Sequence, residues 1–189
     1  MSNPSTTAVL LLLSAFLIQC TSTPEKTLTP ETAILLNSER IKQRYGTYDI
    51  KLISQTHTGR VSNLYSTDNG IPTTRTLAFV RFHAPSPPKD IESLHHTIVA
   101  GASLGATFKQ AGWQVIKHRH RLGSASISTH ASHAPNIARL MQLTLPITLA
   151  AHSYQLDVRK GDQVIPYATL TEIHHPDYLT LDTLRKLYP

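Results

Sequence analysis

The chain has 189 residues, with 18 Lys and Arg against 12 Asp and Glu, a net charge of +6 and 11 histidines. A single cysteine rules out an internal disulfide, so stability must come from burial. Apart from Lys117, Arg119 and Arg121 the basic residues are scattered, unlike the charge block of a nucleic-acid arm, and no nucleic-acid partner is expected.

Residues 1–19 contain no Lys, Arg, Asp or Glu, and residues 8–18 are apolar except for Ser14. This run is well short of the roughly 20 residues a membrane-crossing helix needs, so it reads as an export leader rather than a span. It stops at Cys20, and the polar stretch Thr21-Ser22-Thr23-Pro24-Glu25-Lys26 follows. Leu17 stands three residues before Cys20, with Ile18 next to it, and this junction resembles the lipobox of bacterial lipoprotein precursors. Gln19 departs from the Gly, Ala or Ser that those precursors prefer. The resemblance implies removal of 1–19 and acylation of Cys20; the rest of the chain, by its own composition and length, reads as a linker over 20–28 and one domain over 29–189. Several acyl chains would tether the protein stably to a membrane on its periplasmic face. Thr21, where an Asp would favour the inner membrane, implies the outer one. The plainer alternative is an ordinary cleaved signal.

Thr29-Pro30-Glu31 predicts a helix start, with a hydroxyl cap, Pro at the first position and an acid in the first turn. That helix should reach Tyr45 and stop at Gly46. Strands are expected at Tyr48–Leu52, Val61–Thr67 and Thr74–Phe82, with Asp68-Asn69-Gly70 turning the second into the third. Pro85-Ser86-Pro87-Pro88 then breaks the sheet. From Asp90 to Ala111, Ile91, Leu94, Ile98, Gly101, Gly105 and Phe108 recur at helical spacing and predict one long helix. Its two glycines cost about 1 kcal/mol each against Ala, which suggests close approach to a sheet. Trp113–Ile116 opens another strand, Gly123–Asn136 reads as a flexible loop, and Thr148–Val158 and Val164–Ile173 flank the hairpin turn Arg159-Lys160-Gly161-Asp162. A short helix from Thr180 to Leu187 closes the chain. The expectation is an α+β fold: a mostly antiparallel sheet of about six strands, with the N-terminal helix and the long central helix packed on it.

Three clusters invite a chemical reading. Gly101-Ala102-Ser103-Leu104-Gly105 matches G-x-S-x-G and resembles the nucleophile elbow of α/β-hydrolases, and Asp157 or Asp162 with His174 or His175 follow in triad order. An elbow needs a parallel sheet, however, and the helical stripe already accounts for both glycines. His118 and His120 fall on one face of a regular strand, and His130 and His133 lie in the loop, so either pair is a candidate metal ligand set. The basic residues interleaved with His118 and His120 favour instead a solvated surface that meets anionic lipid or cell wall. Arg60–Ser66, taken with Gly101–Gly105 and Gly112-Trp113, resembles uncharacterised exported proteins of Gram-negative bacteria, a likeness that brings no site with it. The leading expectation is a non-enzymatic envelope lipoprotein that binds or scaffolds another envelope component, with no cofactor. A small serine hydrolase and a histidine-based periplasmic metal-binding protein are the alternatives.

Overall fold

The computed structural model describes residues 35–84, 86–130 and 134–189. The leader, Cys20, the linker, the helix start at Thr29 and His133 lie outside the described residues. In chain order the elements are α1 (Asn37–Tyr45), β1 (Asp49–Gln55), β2 (Gly59–Asp68), β3 (Ile71–Phe82), α2 (Lys89–Val99) and α3 (Leu104–Gln110). There follow β4 (Gln114–Ile127), α4 (Ala134–Met141), β5 (Ile147–Lys160), β6 (Gln163–His174) and α5 (Leu181–Leu187).

The fold is α+β, with six strands in one antiparallel sheet ordered β1-β2-β3-β6-β5-β4. Two meanders, β1-β2-β3 and β4-β5-β6, join through their last strands, from Thr76 opposite His174 to Phe82 opposite Ala168. Asn69 (φ 50°) and Gly70 (φ 81°) make the predicted two-residue turn, with Asp68 opposite Ile71. Gly161 (φ 58°) begins the β5–β6 turn.

Helices cover the two faces unequally. Ala78, Val80 and Phe82 point to the side that α1, α2, α3 and α5 cover, where Ile41, Ile91, Ile98, Leu104, Phe108 and Leu184 are buried. Leu77 and Phe79 point to the other side, against Ile137 and Met141 of α4. Being covered on both faces explains why residues 77–80 are continuously apolar. Gly46 (φ 77°) ends α1 as expected, its N–H reaching Lys42 O at 2.8 Å. Thr180 caps α5 by accepting from Thr183 N at 3.2 Å.

Expectation and structure part first at the central helix, at Gly105 and in the segment after Gly123. The predicted long helix is two helices, broken between Val99 and Leu104 with Gly101 at φ 112°. Arg60, 3% exposed, holds the break by donating from Nη1 to Ile98 O and Ala102 O, each at 2.8 Å. It thereby ties the last turn of α2, where Ile98 O also accepts from Gly101 N at 3.0 Å, to the segment that leads into α3. Gly105 does permit close approach, but to α1 and not to the sheet: a Cβ there would lie 2.5 Å from Leu36 Cδ1. The predicted loop over Gly123–Asn136 contains the end of β4 and the start of α4, whose buried Ala134, Ile137 and Met141 form an apolar stripe too short for a periodicity argument.

Candidate functional site

A cavity of about 60 Å³ lies between the sheet and the α1 and α3 side, walled by Leu64, Val80, Leu104, Leu156 and Leu170. Ligand pockets set a few convergent polar groups in apolar walls, and here those groups are Tyr48, Arg60, Ser103, Lys117, Tyr154 and Glu172. The ammonium of Lys117 sits 4.7 Å from the centroid of the Tyr154 ring. The Tyr154 hydroxyl donates to Glu172 Oε1 at 3.3 Å. Burial lowers the pKa of Lys117 and raises that of Tyr154 well above its ordinary value. The break before α3 is what puts Ser103 in this wall, where its hydroxyl meets that of Tyr48.

Glu172 also belongs to a buried polar cluster on the same face. His152, Glu172 and His174 are 1%, 4% and 1% exposed, and one ligand atom from each lies within 4.8 Å of the others. Register builds the group, since β5 places His152 opposite Glu172 and Ala150 opposite His174. Its surroundings are hydrogen-bonded outward. His174 Nδ1 is 3.0 Å from Thr76 Oγ1, which accepts from Asn37 Nδ2 at 3.1 Å, and Tyr178 donates to Asn37 Oδ1 at 2.5 Å. On the other flank His120 Nδ1 and His152 Nε2 are 2.8 Å apart, and the Tyr188 ring lies over both imidazoles with centroids 4.7 and 4.3 Å away. Arg40 bonds the hydroxyls of Tyr188 and Tyr178.

Burial is the main cause of the histidine shifts: His120 is pushed down to about 4, His174 to about 3, and His152 well below its ordinary value. All three imidazoles are therefore neutral near pH 7. Neutrality fixes tautomers along one chain. His120 Nε2 faces Lys117 O at 3.3 Å and carries the proton, so its Nδ1 accepts from Nε2–H of His152. His152 is left with a lone pair on Nδ1.

The residues singled out from the sequence are not assembled as expected. Ser103 is in the cavity wall. Asp157 lies on the opposite face of β5 from Leu156, with Oδ2 2.9 Å from His118 Nε2. Asp162 is exposed in the β5–β6 turn. His174 is engaged with Thr76, and His175 Nδ1 accepts from Asp177 N at 3.1 Å. No Ser-His-Asp relay forms among these groups. His118 and His120 do not share a face either, because β4 carries a bulge between His118 and Arg121, with Arg119 at φ 53°. The extra residue sends His118 towards Asp157 and His120 towards His152. His130 is exposed on the segment after β4.

Sequence reasoning missed His152, Glu172, Asn37 and Lys117 as members of one site. Glu172-x-His174 in a strand is a usable signal, because alternate residues share a face. No protein-family model, no curated protein and no solved structure matches this chain.

Proposed function

We propose that the chain is a lipid-anchored binding module of a bacterial envelope, and that the cavity receives an anionic group of another envelope component. One observation carries the binding half: Arg60 and Lys117 line the cavity against a single carboxylate, Glu172, and the buried Nε of Arg60 has no hydrogen-bond partner. A buried donor left unmade costs free energy that an acceptor entering the cavity would recover. The space equals about four water-sized volumes, room for a phosphate or carboxylate group. The leader ending at the sole cysteine supports the address. The separation of Ser103 from Asp157 and His174 favours binding over acyl-transfer chemistry.

Two measurements test the two halves. In a Gram-negative host the full chain should fractionate with membranes and yield an N-terminal peptide beginning at lipidated Cys20, while Cys20→Ser should be released as a soluble protein. A mature N-terminus elsewhere, or an unmodified Cys20, overturns the anchor. The full chain carrying Cys20→Ser should co-float with phosphatidylglycerol vesicles and not with phosphatidylcholine vesicles, and Lys117→Met should abolish the difference. Equal behaviour of both proteins on both vesicles overturns the binding reading.

A further inference from the structure

The cluster behind the cavity holds an atom that the protein leaves without a partner. His174 Nε2 is buried and accepts or donates no hydrogen bond, although it lies 4.0 Å from Glu172 Oε2. That gap is too long for a hydrogen bond and suits two donors facing one ion. Around a tetrahedral zinc, metal–nitrogen bonds of about 2.0–2.1 Å and metal–oxygen bonds of about 2.0–2.2 Å set donors about 3.4 Å apart, roughly half an ångström closer than this pair.

We propose that His152, Glu172 and His174 bind a divalent transition-metal ion, of which zinc suits the donors best. Two imidazoles and one carboxylate are the ligand types such ions prefer, whereas calcium and magnesium call for an all-oxygen shell. All the donor atoms of the group lie within 4.8 Å of one another, so closure on a tetrahedral ion draws pairs together by up to about 1.4 Å, a movement shared among rotations of the three side chains. Both histidines are also held as metal ligands are, by a bond from the nitrogen that faces away. Thr76 Oγ1 holds His174 at Nδ1, and in the tautomer with the proton on that nitrogen Nε2 carries the lone pair for the metal. His120 holds His152 at Nε2 and leaves Nδ1. His120, Thr76 and Asn37 are thus positioning residues. The set leaves a coordination position open, as in zinc sites that take water or substrate, and Glu172 borders the cavity as well. The positive field of Arg40 and Lys117 opposes a dication and keeps the affinity below that of a site with a second carboxylate. The inference needs neither the lipid anchor nor an anion in the cavity.

The test uses the full chain with Cys20→Ser, so that no thiol competes, freed of metal by a chelator and dialysed against zinc at near-neutral pH. One equivalent of zinc should be retained. His174→Gln and Glu172→Gln should each weaken retention by about 100-fold, whereas His118→Ala, which alters a pair on the opposite face, should not. Zinc should also raise the thermal midpoint of the starting protein by mass action, a readout that does not depend on the variants folding. Absence of both stoichiometric retention and a zinc-dependent midpoint shift overturns the proposal. So does retention that survives in folded His174→Gln, or retention lost with His118→Ala.

Discussion

Gly101→Ala gives opposite signs for a broken and a continuous helix. A Cβ built at Gly101 meets nothing within 4 Å, so a steric clash does not enter, and the effect is that of backbone conformation alone. At φ 112° an alanine is held in a region costing about 1–3 kcal/mol, offset by about 0.4–1 kcal/mol from the smaller entropy of the unfolded chain. The net expectation is a destabilisation of about 1–2 kcal/mol. In an uninterrupted helix from Asp90 to Ala111 the same change would stabilise by about 1 kcal/mol. Urea unfolding followed by far-ultraviolet circular dichroism resolves the difference. With a slope of about 2 kcal/mol/M the midpoint should fall by about 0.5–1 M, with the slope unchanged. A midpoint that rises would refute the break, and with it the placement of Ser103 in the cavity wall.

Three further outcomes follow from the same geometry. Gly59→Ala should cost on the order of 3 kcal/mol in urea unfolding, because its Cβ would lie 2.3 Å from the Val80 carbonyl oxygen, a backbone atom that cannot rotate aside; a loss within error contradicts the β2–β3 packing. His120 and His174 have folded pKa values of about 4 and about 3, below the unfolded value near 6.5. The unfolded chain therefore binds more protons below pH 6.5, and stability present above that pH is lost as pH falls towards the folded values. Each group contributes up to about 1.4 kcal/mol per pH unit. The metal-free protein should accordingly have a lower urea midpoint at pH 5 than at pH 7.5, and equal midpoints would contradict neutral burial. Ser103 should resist labelling by a fluorophosphonate at pH 8, since its hydroxyl meets that of Tyr48 and no imidazole among the described residues is hydrogen-bonded to it; stoichiometric labelling lost in Ser103→Ala would restore the hydrolase.

Much of the sheet was legible because its signals are local. Asn69-Gly70 and Gly161-Asp162 fix two hairpins through backbone conformations their residues favour, and Gly46 and Thr180 mark helix ends by the same logic. The candidate site was much less legible because bulges decide its membership. Counting outward from the Gly161-Asp162 turn pairs His152 with Thr171, which would put Glu172 on the wrong register. An extra residue at Pro166-Tyr167 shifts the pairing by one and sets His152 opposite Glu172. Pro166, which cannot donate to a ladder, was the readable trace of that bulge. Around Arg119 no comparable trace exists, so strict alternation put His118 and His120 together when the chain separates them. The helix break escaped for another reason: Ile98, Gly101, Gly105 and Phe108 keep helical spacing across it, and the carbonyl partner that stabilises the interruption, Arg60, comes from β2.

The proposed role requires that the cavity receive an anionic group. Amide chemical shifts of the full chain carrying Cys20→Ser, recorded while inorganic phosphate is titrated in, test this directly. Saturable changes gathered at Ser103, Gly105, Lys117 and Glu172, and absent in Lys117→Met, are the predicted result. Changes confined to exposed residues such as Lys42, Lys89 and Lys186, or no saturable change at all, would contradict it.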